Sequence, residues 1–196
     1  MQSTLIKLQE LISNFDIHRQ EYLSGKYDET QVRHNFIDKF FILLGWDVNN
    51  DKGNSLDYCD VLHEDKIIIE NRPKAPDYSF KIGKERVFFV EAKKPSIPIG
   101  TAIEPAFQLR RYSYTAKLPF SILTDFQEFA IYDTTIKPNK TDKASIGRTF
   151  YCKYTEYENN CDYIYNIFSK EAVLKGSLKK YIEDSLKKRG TSQVDK

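Results

Sequence analysis

Two hydrophobic periods alternate along this chain. From residue 2 to about 24, Leu5, Leu8, Ile12 and Phe15 recur at helical spacing, with a break near Asp16 and an end at Ser24-Gly25. Asp28 is a ready N-cap for a second helix, whose apolar stripe is Val32, Phe36, Phe40 and Leu43 and which Gly45 stops. Residues 46–69 are mixed, with turn signals at 47–51 and 53–54 and a short strand pattern at 66–69. Pro73 and Pro76 exclude a helix there. Two strand patterns follow at 76–82 and 86–93, then Pro95, Pro98 and Gly100. A helix is expected from about 104 to 117, with Pro105 in its first turn. Residues 120–124 and 128–132 read as a hairpin, 134–146 as a polar loop, 148–154 as an edge strand, and 160–188 as helix. The last eight residues read as frayed. This order predicts an α/β (α+β) fold, one central mixed β-sheet flanked by helices.

The strand pair at 76–93 carries the chemistry. If Gly83-Lys84-Glu85 is a three-residue loop, Ile82 faces Arg86, Phe80 faces Phe88, and Asp77 faces Glu91. Asp77 and Glu91 then share one face, with Cβ atoms roughly 5 Å apart. Lys93 joins them because side chains alternate with period two. Tyr78, Phe80, Phe88 and Val90 take the opposite, apolar face. A two-residue loop would break this parity unless a bulge restored it. Two carboxylates so placed need a cation between them. Mg²⁺ suits this oxygen-rich pair, with the Ala92 carbonyl as a further ligand and Mn²⁺ as a substitute. Such a metal would polarise a phosphate and acidify a bound water, and Lys93 would orient that water or offset charge on the phosphorane.

Glu-x-Lys is a weak signal in a chain with 30% charged residues, and Glu64-Asp65-Lys66 repeats it. The second copy is favoured because a long apolar strand delivers it beside Asp77. Glu29 and Arg33, four apart on the second helix, lie in line with Phe36 and Phe40. Gln108 and Tyr112, four apart on the later helix, share a face and can bond or stack against a ligand. Read blandly, these are an ordinary surface pair and a packing pair.

Composition narrows the class. The chain has 196 residues, 40% hydrophobic and 14% aromatic, which suits one folded domain and excludes disorder. Net charge is only +2, so a nucleic-acid surface must come from local clusters. Candidates near the strand pair are Lys94, Arg110 and Arg111, with Lys81 and Lys117 beyond them. Such groups read phosphate, not sequence. Three cysteines without a Cys-x-x-Cys pair read as reduced thiols, and their spacing to the histidines disfavours structural zinc. With no signal-peptide pattern and no membrane-spanning run, a soluble cytoplasmic protein is expected.

Taken together, Glu29 with Arg33 before Leu44-Gly45-Trp46, Pro76-Asp77, Glu91-Ala92-Lys93 and Gln108-Leu109-Arg110-Arg111-Tyr112 resemble the PD-(D/E)-x-K superfamily of restriction-type nucleases. The resemblance is nearest to the N-terminal nuclease domains of type I restriction subunits and of type IIG enzymes that fuse endonuclease to methyltransferase. Gln108 to Tyr112 resembles the Gln-x-x-x-Tyr motif of RecB-like nucleases, and Leu123-Thr124-Asp125-Phe126 with Ile131-Tyr132-Asp133 resembles type IIG versions. It covers roughly residues 25–190. It implies a restriction-endonuclease-like fold and Mg²⁺-dependent hydrolysis of double-stranded DNA. Asp77 and Glu91 would bind metal, Lys93 the attacking water, Glu29 would support, and Gln108 with Tyr112 would line the site. It also implies a nuclease domain over 1–170 and a helical connector over 171–196, leading toward a methyltransferase or helicase region and a specificity region. A transient dimer would serve double-strand cleavage. The alternatives are a nuclease-like module that binds DNA or a partner without cutting, and a structural subunit that docks through its C-terminal helices.

Overall fold

The computed structural model describes residues 2–194. Helix α1 (Gln2–Ile17) breaks at His18 and continues as the short α2 (Arg19–Tyr22). Asp28 caps α3 (Glu29–Val32) in a reciprocal box with Gln31, whose backbone N–H reaches Asp28 at 2.8 Å. The same helix widens into a π-turn (Arg33–Ile37) before α4 (Asp38–Leu43). The extra residue in that turn rotates the stripe. Phe36, Ile37, Phe40, Phe41 and Leu44 are buried, while Leu43 is only half-buried. Gly45 ends the helix at φ +87°, where a β-carbon would be strained.

The strands are β1 (Val61–His63), β2 (Ile67–Ile69), β3 (Arg72–Lys74), β4 (Tyr78–Ile82), β5 (Glu85–Ala92), β6 (Phe120–Thr124), β7 (Glu128–Asp133) and β8 (Arg148–Lys153). Six of them form one mixed sheet in the order β1-β4-β5-β6-β7-β8, and β2 with β3 form a separate ribbon. All neighbours are antiparallel except β5 and β6, which run parallel and are joined across α5 (Ile103–Thr115). A 3₁₀ turn (Tyr154–Glu156), α6 (Tyr157–Phe168), α7 (Lys170–Leu174) and α8 (Ser177–Val194) complete the chain. The mixed sheet flanked by helices is the expected one and is compatible with a restriction-endonuclease-like fold.

One sheet face packs on α1, α4 and α6 through Phe80, Phe88, Val90, Ala92, Ile122 and Phe129. The other packs on α5 and the ribbon through Phe89, Leu123, Ala130 and Ile69. Phe80 and Phe88 stack at 4.5 Å with Trp46 edge-on to both, and the indole N–H of Trp46 donates to the Phe168 carbonyl at 2.8 Å. Truncating such a fully buried ring to Ala costs about 3–5 kcal/mol.

Three expectations are corrected. The β4–β5 loop is two residues, with Ile82 opposite Glu85, and only Gly83 at positive φ, +57°. The register then shifts between Phe80 and Lys81, so that Val87 is the extra residue and Phe80 meets Phe88 after all. The last helix runs through Val194 instead of fraying at 189; residues 195 and 196 of that expected tail lie outside the described residues. Finally, β1 and β3 form strands that the hydrophobic pattern did not mark. Among the described residues no helix is long and apolar enough to cross a membrane.

Candidate active site

The bulge brings the charged residues together at the C-terminal end of β5. Tyr78 pairs with Val90, so Asp77, one residue before β4, comes beside Glu91. Asp77 Oδ2 accepts the Ala92 backbone N–H at 2.7 Å. Its Oδ1 lies 3.5 Å from Arg33 NH1. The Ala92 group in contact with Asp77 is thus its N–H.

Glu91 follows the alternation of Phe89 and points to the α5 side, where it is 2% exposed. Its Oε1 accepts from Lys93 Nζ at 2.7 Å and from Gln108 Nε2 on α5. Its Oε2 is buried and has no partner. Lys93 Nζ also lies 3.5 Å from Glu29 Oε2, which reaches in from the first turn of α3. Tyr112, one turn beyond Gln108, interacts electrostatically with Glu91 and through its hydroxyl with Gln108. Glu29, Asp77, Glu91, Lys93, Gln108 and Tyr112 therefore converge, from α3, the β4–β5 pair and α5.

The electrostatics show a site short of positive charge. Burial, then the Asp77 charge, push the Glu91 carboxyl up to about 8, against the pull of Lys93. Asp77 is raised by burial despite the Ala92 N–H, Lys93 and Arg33. Glu29 is raised by burial and by Asp77. For Lys93 burial acts downward, but Glu91, Glu29 and Asp77 outweigh it and hold the ammonium charged above its usual range. Among the described residues no three His, Cys, Asp or Glu side chains form a metal cage by themselves. A cation here would rest on Asp77 and Glu91, completed by backbone oxygen, water and ligand. The residues fit a hard divalent ion in one respect: the buried Oε2 of Glu91 has no hydrogen-bond partner, while Lys93 and Gln108 both bond its Oε1.

Sequence reasoning passed over two supports. Arg33 was noted as a partner of Glu29, yet its guanidinium goes to Asp77 and His63 and lies 4.8 Å from the Tyr78 ring centroid. Tyr78 in turn donates to Asp38 Oδ1 at 2.6 Å. The π-turn that aims Arg33 at Asp77 leaves no signal on a helical wheel.

The basic candidates divide. Lys94 is half-buried beside the site, and Arg111 is half-buried over the Phe107 ring. Arg110 is turned inward at 1% exposure and bonded to Asp142 at 2.8 Å, beneath the loop that ends at Gly147. Lys81 is likewise buried, donating to the Leu56 and Asp57 carbonyls. Neither presents its charge to solvent. Lys117 is exposed at the end of α5. In the competing Glu64-Asp65-Lys66 segment, Asp65 is occupied by Arg86 at 2.6 Å.

Over 172 residues the chain is 41% identical to the type II restriction enzyme and methyltransferase RM.Eco57I of Escherichia coli. It is similar to one part of a restriction–modification enzyme. The aligned stretch covers 87% of this chain and 17% of the E. coli enzyme. No family model matches the chain, and no solved structure matches it.

Proposed function

We propose that this chain is the endonuclease module of a restriction–modification enzyme, of the PD-(D/E)-x-K type, hydrolysing phosphodiester bonds of double-stranded DNA with Mg²⁺. The unpartnered Oε2 of Glu91 carries this reading. A buried carboxylate beside a second one is costly in a chain that only binds or only docks, and it is useful where a metal is to be held. Similarity to the E. coli enzyme supports the same reading.

In this scheme Asp77 and Glu91 hold the ion, which when bound supplies Lewis acidity and an acidified water. Asp77 is kept in place by the Ala92 N–H and by Arg33. Lys93 stands between Glu91 and Glu29, where it would orient the nucleophilic water and balance charge on the phosphate. Gln108 fixes the rotamer of Glu91 by bonding the same oxygen as Lys93, leaving the other for the ion. Tyr112 closes the α5 side.

Leu178, Tyr181 and Ile182 of α8 still pack against the core. In this reading residues 171–196 form the connector toward a methyltransferase region, held to the domain by those three side chains. Cutting both strands would call for a transient dimer or a second active site.

The test is cleavage of plasmid and linear duplex DNA by the chain with Mg²⁺, with Mn²⁺ and with EDTA. Metal-dependent nicking or cutting that Lys93→Met abolishes is expected. Cleavage indifferent to EDTA, or absent with both metals while duplex is bound, would overturn the assignment.

A further inference from the structure

The strand register extends the catalytic edge sideways. Ala92 pairs with Thr124, Thr124 with Phe129, and Phe129 with Cys152. One residue further, the strands present Lys93, Asp125, Glu128 and Lys153 in a row: Lys93 N–H donates to the Thr124 carbonyl at 3.0 Å, Asp125 N–H to the Glu128 carbonyl at 3.3 Å, and Glu128 pairs with Lys153. At the far end of this row lies a cleft of about 360 Å³ lined by Arg19, Pro98, Gln127, Glu128, Lys153 and Thr155, among others. Arg19, the first residue of α2, is tied to the β6–β7 turn by its Nε, which donates to Gln127 Oε1 at 2.9 Å.

The charges in this cleft are unequal in availability. Its neighbouring acids are engaged or buried: Glu128 by the Tyr151 hydroxyl and the Gly100 N–H, Glu156 by the Lys153 N–H at 2.8 Å, and Asp16 by the Tyr154 hydroxyl, while Asp125 is fully buried with its Oδ2 unpartnered. Among the described residues neither the Lys153 ammonium nor the Arg19 guanidinium has an acid within ion-pair distance, and both side chains belong to exposed residues. Arg19 is also pre-oriented by Gln127, which reduces the entropy it loses on binding a ligand. The cleft is cationic at its rim, where Arg19 and Lys153 stand, and it lies at the same end of the sheet as Lys93.

We propose that this cleft receives the sugar–phosphate backbone of the DNA strand to one side of the cut, with Arg19 and Lys153 each engaging a phosphate. The proposal rests on the nuclease reading above and adds where the flanking strand is held. Three strand spacings separate Lys153 from Lys93, roughly 14 Å. Rise along the axis is about 3.4 Å per nucleotide and the winding of the backbone roughly doubles the phosphate-to-phosphate step, so the contact falls about two steps from the scissile phosphate.

The experiment is duplex binding in EDTA, over a range of salt and of duplex length, by the wild-type chain and by Arg19→Gln/Lys153→Gln. Losing two phosphate contacts should flatten the slope of log K against log salt by about 1.8, and losing one by about 0.9. Wild-type affinity should also keep rising over about two base pairs beyond the length at which the double variant levels off. Lys84→Gln, at the opposite end of β5, should change neither. If the double variant does not fold, Lys153→Gln alone is read by the single-contact slope. A wild-type chain that binds and cuts DNA, with variants of unchanged slope and length dependence, overturns the cleft proposal and leaves the nuclease reading intact. A wild-type chain that neither binds nor cuts removes both.

Discussion

Arg33 grips Asp77 at two places: NH1 lies 3.5 Å from Oδ1, and NH2 lies 3.4 Å from the backbone carbonyl. NH2 also meets His63 Nδ1 at 3.2 Å. A guanidinium can only donate, so Nδ1 is the accepting nitrogen, and Nε2 carries the proton toward the Val48 carbonyl at 3.0 Å. Arg33 is one of the groups that pull Asp77 down against its burial. Arg33→Met should therefore raise the Asp77 carboxyl further and move the acid limb of the cleavage–pH profile to higher pH. Arg33→Lys should recover part of the shift. A limb that stays in place in Arg33→Met would show that Arg33 serves packing alone.

The proposed metal role of Glu91 would couple ion binding to stability. Its folded-state carboxyl sits near 8, above the usual range, because burial disfavours its charge. Stability from such a raised group is fully present below the unfolded value, about 4.3, and is lost as pH rises through about 8. The metal-free chain should thus melt at progressively lower temperature from about pH 5 to pH 8. Glu91→Gln should flatten this dependence and melt higher than wild type at pH 8. Adding Mn²⁺ should raise the melting temperature of wild type at pH 8 and leave Glu91→Gln nearly unmoved. Calorimetry across this pH range, with and without the metal, reads all three outcomes.

Lys93→Met removes the ammonium that sits 2.7 Å from Glu91 and 3.5 Å from Glu29. If it acts on the reacting groups, turnover should fall by about 10²–10³ while duplex affinity changes little. Single-turnover cleavage beside an EDTA binding titration separates the two quantities. A parallel loss of binding and turnover would make Lys93 a DNA contact instead.

The β5 bulge yields a test by deletion. Ile82–Glu85 and Lys81–Arg86 pair on one side of Val87, and Phe80–Phe88 on the other. Removing Val87 should give a regular two-residue hairpin with the Asp77–Glu91 relationship preserved, so metal-dependent cleavage should persist at reduced stability. Removing Phe89, which lies inside the regular ladder, should put Glu91 on the wrong face and abolish cleavage. Equal loss of activity in both would mean that the twist introduced by the bulge, and not parity alone, is required.

Much of this site was readable from residue order, because the chemistry sits on the most strongly patterned strands of the chain. The alternating Tyr78, Phe80, Phe88 and Val90 can face the core in only one parity, and that parity carries Asp77 and Glu91 with it. The loop is one residue shorter than the pattern predicts, yet the register is kept by the bulge, since burying those rings outweighs the choice of turn. What was not readable has local causes. β1 and β3 are three residues each, and β3 contains Pro73, so neither shows a strand period. Arg110 sits on the face of α5 opposite bulk solvent only because Asp142 folds back over it, a contact spanning 32 residues. The role of Arg33 depends on a π-turn, which no regular helical spacing anticipates.

Trp46 is the chain's single tryptophan, and it is wedged between the Phe80–Phe88 stack and the end of α6. The protein consequently carries a built-in optical reporter at the back of the β4–β5 hairpin. Indole emission should be blue-shifted in the native state and move to longer wavelengths when α6 lifts from β4 and β5. Stopped-flow fluorescence could follow that event without any added label.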